Sequence, residues 1–143
     1  SQFRLVLISG QSMEPTLHNN TLILLRKENE IPREHIVSFT APKSWSYLED
    51  KSLIKRVIAG PNDNLKIDSD FVYVNNKERV RIKGKVKIEQ ELDITLKENE
   101  YFVMGDNVGK SHDSLYEYSL GNNDFLVKRD LITYSTGDYP FEK

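Results

Sequence analysis

Leu53-Ile54-Lys55-Arg56-Val57-Ile58-Ala59 places a lysine in the middle of an apolar run rich in β-branched residues, and that run reads as a buried β-strand. A lysine among Leu53, Ile54, Val57 and Ile58 is a candidate for a perturbed amine. Burial disfavours the ammonium form and lowers its pKa toward neutrality, which is what a lysine needs before it can act as a base.

Working outward, the same pattern recurs. Leu5 to Ile8, Thr21 to Leu25, Ile36 to Phe39, Phe71 to Val74, Tyr101 to Met104 and Leu131 to Tyr134 are short runs rich in Val, Ile, Phe and Tyr, separated by Asn, Asp, Gly and Pro. The fold class is therefore mainly β, with little helix. Asn75-Asn76 reads as a hairpin turn, because asparagine tolerates positive φ. Arg79 to Ile88 alternates charged and apolar residues, and a strand there would set Val80, Ile82, Val86 and Ile88 against a row of cations. Residues 88 to 100 fit a strand as well as a helix. The segment from Ala41 to Ser52 reads as an exposed connection whose Trp45 and Tyr47 belong either to the core or to a membrane–water boundary.

Composition narrows the function. The chain has 143 residues, enough for one domain with a real core. A formal net charge of −2 argues against broad nucleic-acid binding. With no cysteine there is no disulfide, thiolate metal site or thiol nucleophile. His18, His35 and His112 lack ligand spacing, so no metal is expected and each is read as a surface or loop residue. No run of about 18 to 20 apolar residues is present to cross a bilayer.

A second segment answers the lysine strand. In Ser9-Gly10-Gln11-Ser12-Met13-Glu14-Pro15-Thr16-Leu17, Gly10 permits a sharp turn before Ser12, and Pro15 stiffens the exit. A serine on such a turn exposes its Oγ and offers a backbone N–H to a developing oxyanion. Ser12 and Lys55 together read as a Ser-Lys dyad, a variant of the Ser-His-Asp arrangement. A third block, Tyr101-Phe102-Val103-Met104-Gly105-Asp106-Asn107 followed by Ser111-His112-Asp113-Ser114, adds a strand, a turn and small polar groups able to orient a lysine and an arginine.

With these blocks in order, the chain resembles the bacterial type I signal peptidases, in the short Gram-positive-like form. The resemblance covers Ser9 to Leu17, His35 to Phe39, Ile54 to Asp63 and Phe102 to Ser114. It implies Ser12 as nucleophile, Lys55 as general base, and Ser111 as the hydroxyl that bonds the Lys55 amine. It implies an Asp113–Arg56 pair bracing the site, and a shallow apolar substrate pocket near Met13 and Met104. The Ser12 N–H would be one oxyanion donor. Gly10 stands where some members have a second donor hydroxyl. Leu115 stands where an arginine is usual after Asp-Ser, and Ala59-Gly60-Pro61-Asn62-Asp63 replaces the more usual Pro-Gly-Asp turn.

The resemblance further implies antiparallel β-sheets forming one catalytic domain over 1–143, with a hairpin insertion at about 64–98. It implies a membrane anchor preceding this chain and a location on the outer side of the bacterial cytoplasmic membrane. The expected partners are signal peptides of secreted or surface preproteins and the membrane surface, with no cofactor. A non-cleaving binding or assembly factor for exported proteins is the alternative, motivated by Leu115 and the Tyr116 to Gly121 tail. A self-cleaving repressor-type peptidase shares the Gly-x-Ser-Met theme but does not account for Met104-Gly105-Asp106-Asn107.

Overall fold

Alternating or continuous apolar runs of four to eight residues fold as strands because extended backbone lets β-branched side chains pack on a pleated surface. The computed structural model describes residues 2–140 and contains eleven such strands among them. They are β1 (Phe3–Leu7), β2 (Leu22–Arg26), β3 (His35–Thr40), β4 (Ser52–Ala59), β5 (Asn64–Ile67), β6 (Phe71–Val74), β7 (Lys77–Arg81), β8 (Leu92–Thr95), β9 (Glu100–Met104), β10 (Val127–Lys128) and β11 (Ile132–Asp138). One short helix, α1 (Ser114–Ser119), follows β9. No helix among the described residues is long and apolar enough to cross a membrane.

The strands form two antiparallel sheets. One has seven strands in the order β1-β2-β11-β3-β4-β9-β10, and the other has four in the order β7-β6-β5-β8. Strand β4, which carries Lys55, lies between β3 and β9, with Val37 opposite Lys55 and Met104 opposite Arg56. Pairing to β9 begins only at Arg56, so among the described residues no strand lies beside the β4 edge from Ser52 to Lys55 on that side. The two sheets join through one apolar cluster. Ile58, Phe102 and Met104 from the large sheet pack with Leu65, Ile67, Val72 and Val80 from the small one, and Leu115 of α1 seals it.

Several expectations are revised. Residues 64–95 hold four strands, more than a single hairpin: β5, β6 and β7 follow one another as a meander, and β8 returns to pair with β5 in Greek-key order. The alternation from Arg79 to Ile88 is strand only to Arg81. Gly84, at φ +77°, turns the chain, and the Lys85 and Val86 N–H groups donate back to the Ile82 carbonyl. Asn75 and Asn76 adopt positive φ, as the hairpin reading requires. Helix α1 forms where none was read, because the Asp113 side chain accepts the Tyr116 N–H and caps its first turn. The segment from Ala41 to Ser52 is not simply an exposed connection. Trp45 is fully buried, edge-on to Phe39, and its indole N–H donates to the Asp124 carbonyl at 2.8 Å. Tyr47 next to it is 93% exposed.

Trp45 thus ties a long loop to the core. Trp45→Ala is expected to lower stability by about 3–5 kcal/mol in urea denaturation, as large aromatic truncations in cores do. Tyr47→Ala is expected to change it by less than about 0.5 kcal/mol.

Candidate active site

Ser12 and Lys55 meet. Lys55 Nζ lies 2.8 Å from Ser12 Oγ in a hydrogen bond, and the lysine is only 5% exposed. Burial lowers the Lys55 pKa, and the nearby Asp113 charge opposes that effect without reversing it. The Asp113 carboxyl is buried too. Its pKa is raised by desolvation, against the pull of backbone N–H donors, the Lys55 charge and the Ser111 hydroxyl.

The local chain explains why Ser12 is held in place. Gly10 adopts φ +91°, a conformation that costs glycine little, and its N–H donates to Asn19 Oδ1. After the turn, Thr16 and Leu17 N–H groups donate to the Met13 carbonyl, closing the loop. From the other side, Asn107 N–H donates to the Ser12 carbonyl at 2.9 Å and its side-chain amide to the Gln11 carbonyl at 3.0 Å. Gly105 lets the two segments touch. A Cβ there would lie 2.4 Å from both the Ser12 carbonyl oxygen and Ser111 Oγ, so no larger residue fits without a shift.

The supporting residues depart from expectation. Arg56 does not brace Asp113 but Asp106. Its Nε and NH2 groups donate to the two Asp106 oxygens at 2.9 and 2.8 Å, in the bidentate geometry that favours arginine. Its remaining amine, NH1, donates to the Glu34 and Tyr139 carbonyls. Thr16 Oγ1 donates to Asp106 Oδ2 at 2.6 Å, so the loop that carries Ser12 and the strand that carries Lys55 converge on one carboxylate. The register accounts for this: Arg56 lies opposite Met104, and two residues further the chain delivers Asp106. Asp113 instead accepts the Gly105 and Tyr116 N–H groups.

Ser111 sits against Gly105 with its buried Oγ on the Asp113 side, and no hydrogen bond joins it to the Lys55 amine in this arrangement. Met13 lines the groove beside the dyad, while Met104 is 2% exposed inside the core cluster and does not line it. Nor is the groove wholly apolar. Its volume is about 260 Å³, and besides Val6, Leu53 and Ile54 its wall includes Arg4, Ser38 and Ser52.

Two residues escaped the sequence reading. Asp106 was visible only as part of a turn. Glu117, 2% exposed, takes hydrogen bonds from Asn122 and pairs with His112, whose ring stacks on Trp45 and meets Tyr116 edge-on. His112 is thus half-buried and engaged, not a plain surface residue. Among the described residues no cluster of metal-ligating side chains occurs.

The sequence matches the family model described as Signal peptidase, peptidase S26, over residues 1–134. It is 29% identical over 150 residues to Signal peptidase I U of Bacillus subtilis, covering 94% of this chain and 75% of that protein. To Signal peptidase I S of the same organism it is 29% identical over 152 residues, covering 95% and 77%. The crystal structure of a signal peptidase I from Enterococcus faecalis superposes with a TM-score of 0.54 at 20% identity, covering 76% of this chain and 98% of that one, which establishes likeness of fold.

Because the Arg56–Asp106 pair is buried and fully bonded, removing one partner strands the other charge in the interior. Asp106→Asn is expected to lower stability by about 3–5 kcal/mol. Thr16→Val, which removes one bond to the same carboxylate, is expected to cost about 1–3 kcal/mol. Chemical denaturation of the two single variants and the double variant measures both losses, and their sum is expected to exceed the loss in the double variant.

Proposed function

This chain belongs to the signal peptidase family, peptidase S26, and from that premise we propose that Ser12 and Lys55 are the nucleophile and general base with which it cuts signal peptides from exported preproteins. The observation that carries the assignment is the 2.8 Å contact between Ser12 Oγ and a lysine amine whose pKa burial lowers. Neutral Lys55 takes the Ser12 proton as Oγ attacks the scissile carbonyl, then returns it to the leaving amine. The same amine activates the water that releases the acyl group. The Ser12 N–H donates to the oxyanion. Gly10 has no side chain to add a second donor.

The unpaired edge of β4 from Ser52 to Lys55 and the outer edge of β1 give an extended peptide backbone groups to pair with. Ser111 and Asp113 shape the site beside Gly105, with Asp113 acting on Lys55 through its charge. Met13 contributes to the pocket wall. The whole unit works as one catalytic domain into which the four-stranded sheet is inserted. Peptides with signal sequences are its substrates, and no cofactor takes part.

The signal peptidase family is membrane-associated, and one face of this molecule supports contact with a lipid surface. On the β1–β2 hairpin, Phe3, Leu5 and Leu7 stand opposite Arg26, Leu24 and Leu22, and all five apolar side chains are more than half exposed. That face would rest on the outer leaflet of the cytoplasmic membrane, next to the groove that receives the substrate.

Incubation with a signal-bearing preprotein tests the assignment. Ser12→Ala and Lys55→Ala are each expected to reduce cleavage by at least about a thousandfold, in line with loss of a catalytic dyad member. Undiminished cleavage in either variant refutes the dyad, and binding without cleavage by the unaltered chain supports a capture factor instead. The pH profile carries the sign of the lysine shift. The amine works only when neutral, so kcat/KM is expected to rise with pH and level off below the ordinary lysine range. Asp113→Asn removes the charge that holds the Lys55 pKa up, and is expected to move that rise to lower pH.

A further inference from the structure

Strand β1 has two faces of opposite character. Phe3, Leu5 and Leu7 share one face and Arg4 and Val6 the other, as period-two alternation requires, with Val6 half-buried and Arg4 itself exposed. Arg4 and Val6, together with Leu7 at the end of the strand, join Ser12, Met13 and Lys55 in lining the substrate groove, so a permanent cation stands in its wall. The Arg4 guanidinium lies 5.9 Å from the centre of the Tyr134 ring, which engages it by a cation–π contact. Among the described residues no carboxylate pairs with Arg4. Around it the groove is otherwise apolar or neutral, with Val6, Ser38, Ser52, Leu53 and Ile54, and its one other ionisable side chain is Lys55.

We propose that Arg4 is a specificity-determining residue that selects preproteins carrying an acidic side chain a few residues upstream of the cleaved bond. This rests on the peptidase reading above. A peptide extended along β4 has its scissile carbonyl at Ser12 and Lys55 and runs toward Ser52, past the wall where Arg4 lies over Tyr134, whose strand position faces Ser38 and, across it, Ile54. At about 3.3 Å per residue, the stretch from Lys55 to Ser52 spans about 10 Å, and with the reach of the arginine side chain the facing substrate position lies about three to six residues before the cut. A carboxylate there meets a guanidinium whose one face is covered by Tyr134 and which needs no existing salt bridge broken. A lysine there meets like charge in a confined groove.

The test uses membrane-anchored preproteins identical except for one residue, with Ser, Glu or Lys placed in turn at each of the third to seventh positions before the cut. At one position in the third-to-sixth window, Glu is expected to exceed Lys in kcat/KM by about two- to fivefold, the size of an exposed ion pair. Arg4→Gln is expected to flatten that preference and Arg4→Glu to invert it, each read as the Glu-to-Lys ratio within one variant. The preference is expected to shrink at high salt. A Glu-over-Lys ratio that is absent in the unaltered chain, or unchanged in Arg4→Glu, overturns the inference while cleavage of the Ser substrate leaves the peptidase reading standing. Failure to cut the Ser substrate at all overturns that reading and this inference with it.

Discussion

The site depends on one buried ion pair. Arg56 is fully buried, and its guanidinium is divided between Asp106 and the Glu34 and Tyr139 carbonyls. Asp106 in turn accepts Thr16 from the nucleophile loop. A buried pair of this kind adds little net stability over an apolar substitute, since desolvation offsets much of the attraction. What it supplies is geometry. Five separated parts of the chain must arrive together for every donor and acceptor to be satisfied, and an arrangement without Asp106 or Arg56 leaves a charge stranded.

That constraint reaches the dyad through single residues. Lys55 precedes Arg56 on the same strand, Gly105 precedes Asp106, and Thr16 closes the turn that begins at Ser12. Gly105 completes the approach, because its missing side chain is where the Ser12 carbonyl and Ser111 Oγ come close. Lys55 is then enclosed enough to lose its charge readily, and Asp113, capping α1 from behind Gly105, moderates the loss. The hub, the turn and the cap divide the work: the first positions, the second admits, the third tunes.

Much of the fold was legible because apolar runs of four or more residues leave little choice but a strand, and β3, β4, β6 and β9 declared themselves so. Strand β5 did not, since Asn64-Leu65-Lys66-Ile67 is short and half polar and forms because β6 and β8 flank it. Helix α1 was illegible for the complementary reason: six residues without strong propensity are held by an Asp113 cap that depends on tertiary placement. The blocks around Ser12 and Lys55 were readable, and the structure brings the two side chains together. The partner of Arg56 was not, because two aspartates lie in one block and only the β4–β9 register decides which one faces the guanidinium. The same register puts Met104 in the core, away from the groove. Likewise, Arg4 lies in a run whose apolar character hid the groove-facing cation, and alternation acquires a direction only once β1 has a neighbour.

All of this bears on the charge of a single amine. Titration of the Lys55 Cε signal by NMR, in protein with selectively labelled lysine and with Lys55→Arg to assign the peak, measures that charge directly. A midpoint clearly below the ordinary value of 10.5 is the expected result, with the midpoint falling further in Asp113→Asn. A midpoint at or above 10.5 would contradict the account, because Lys55 would then remain an ammonium ion with no lone pair to take the Ser12 proton.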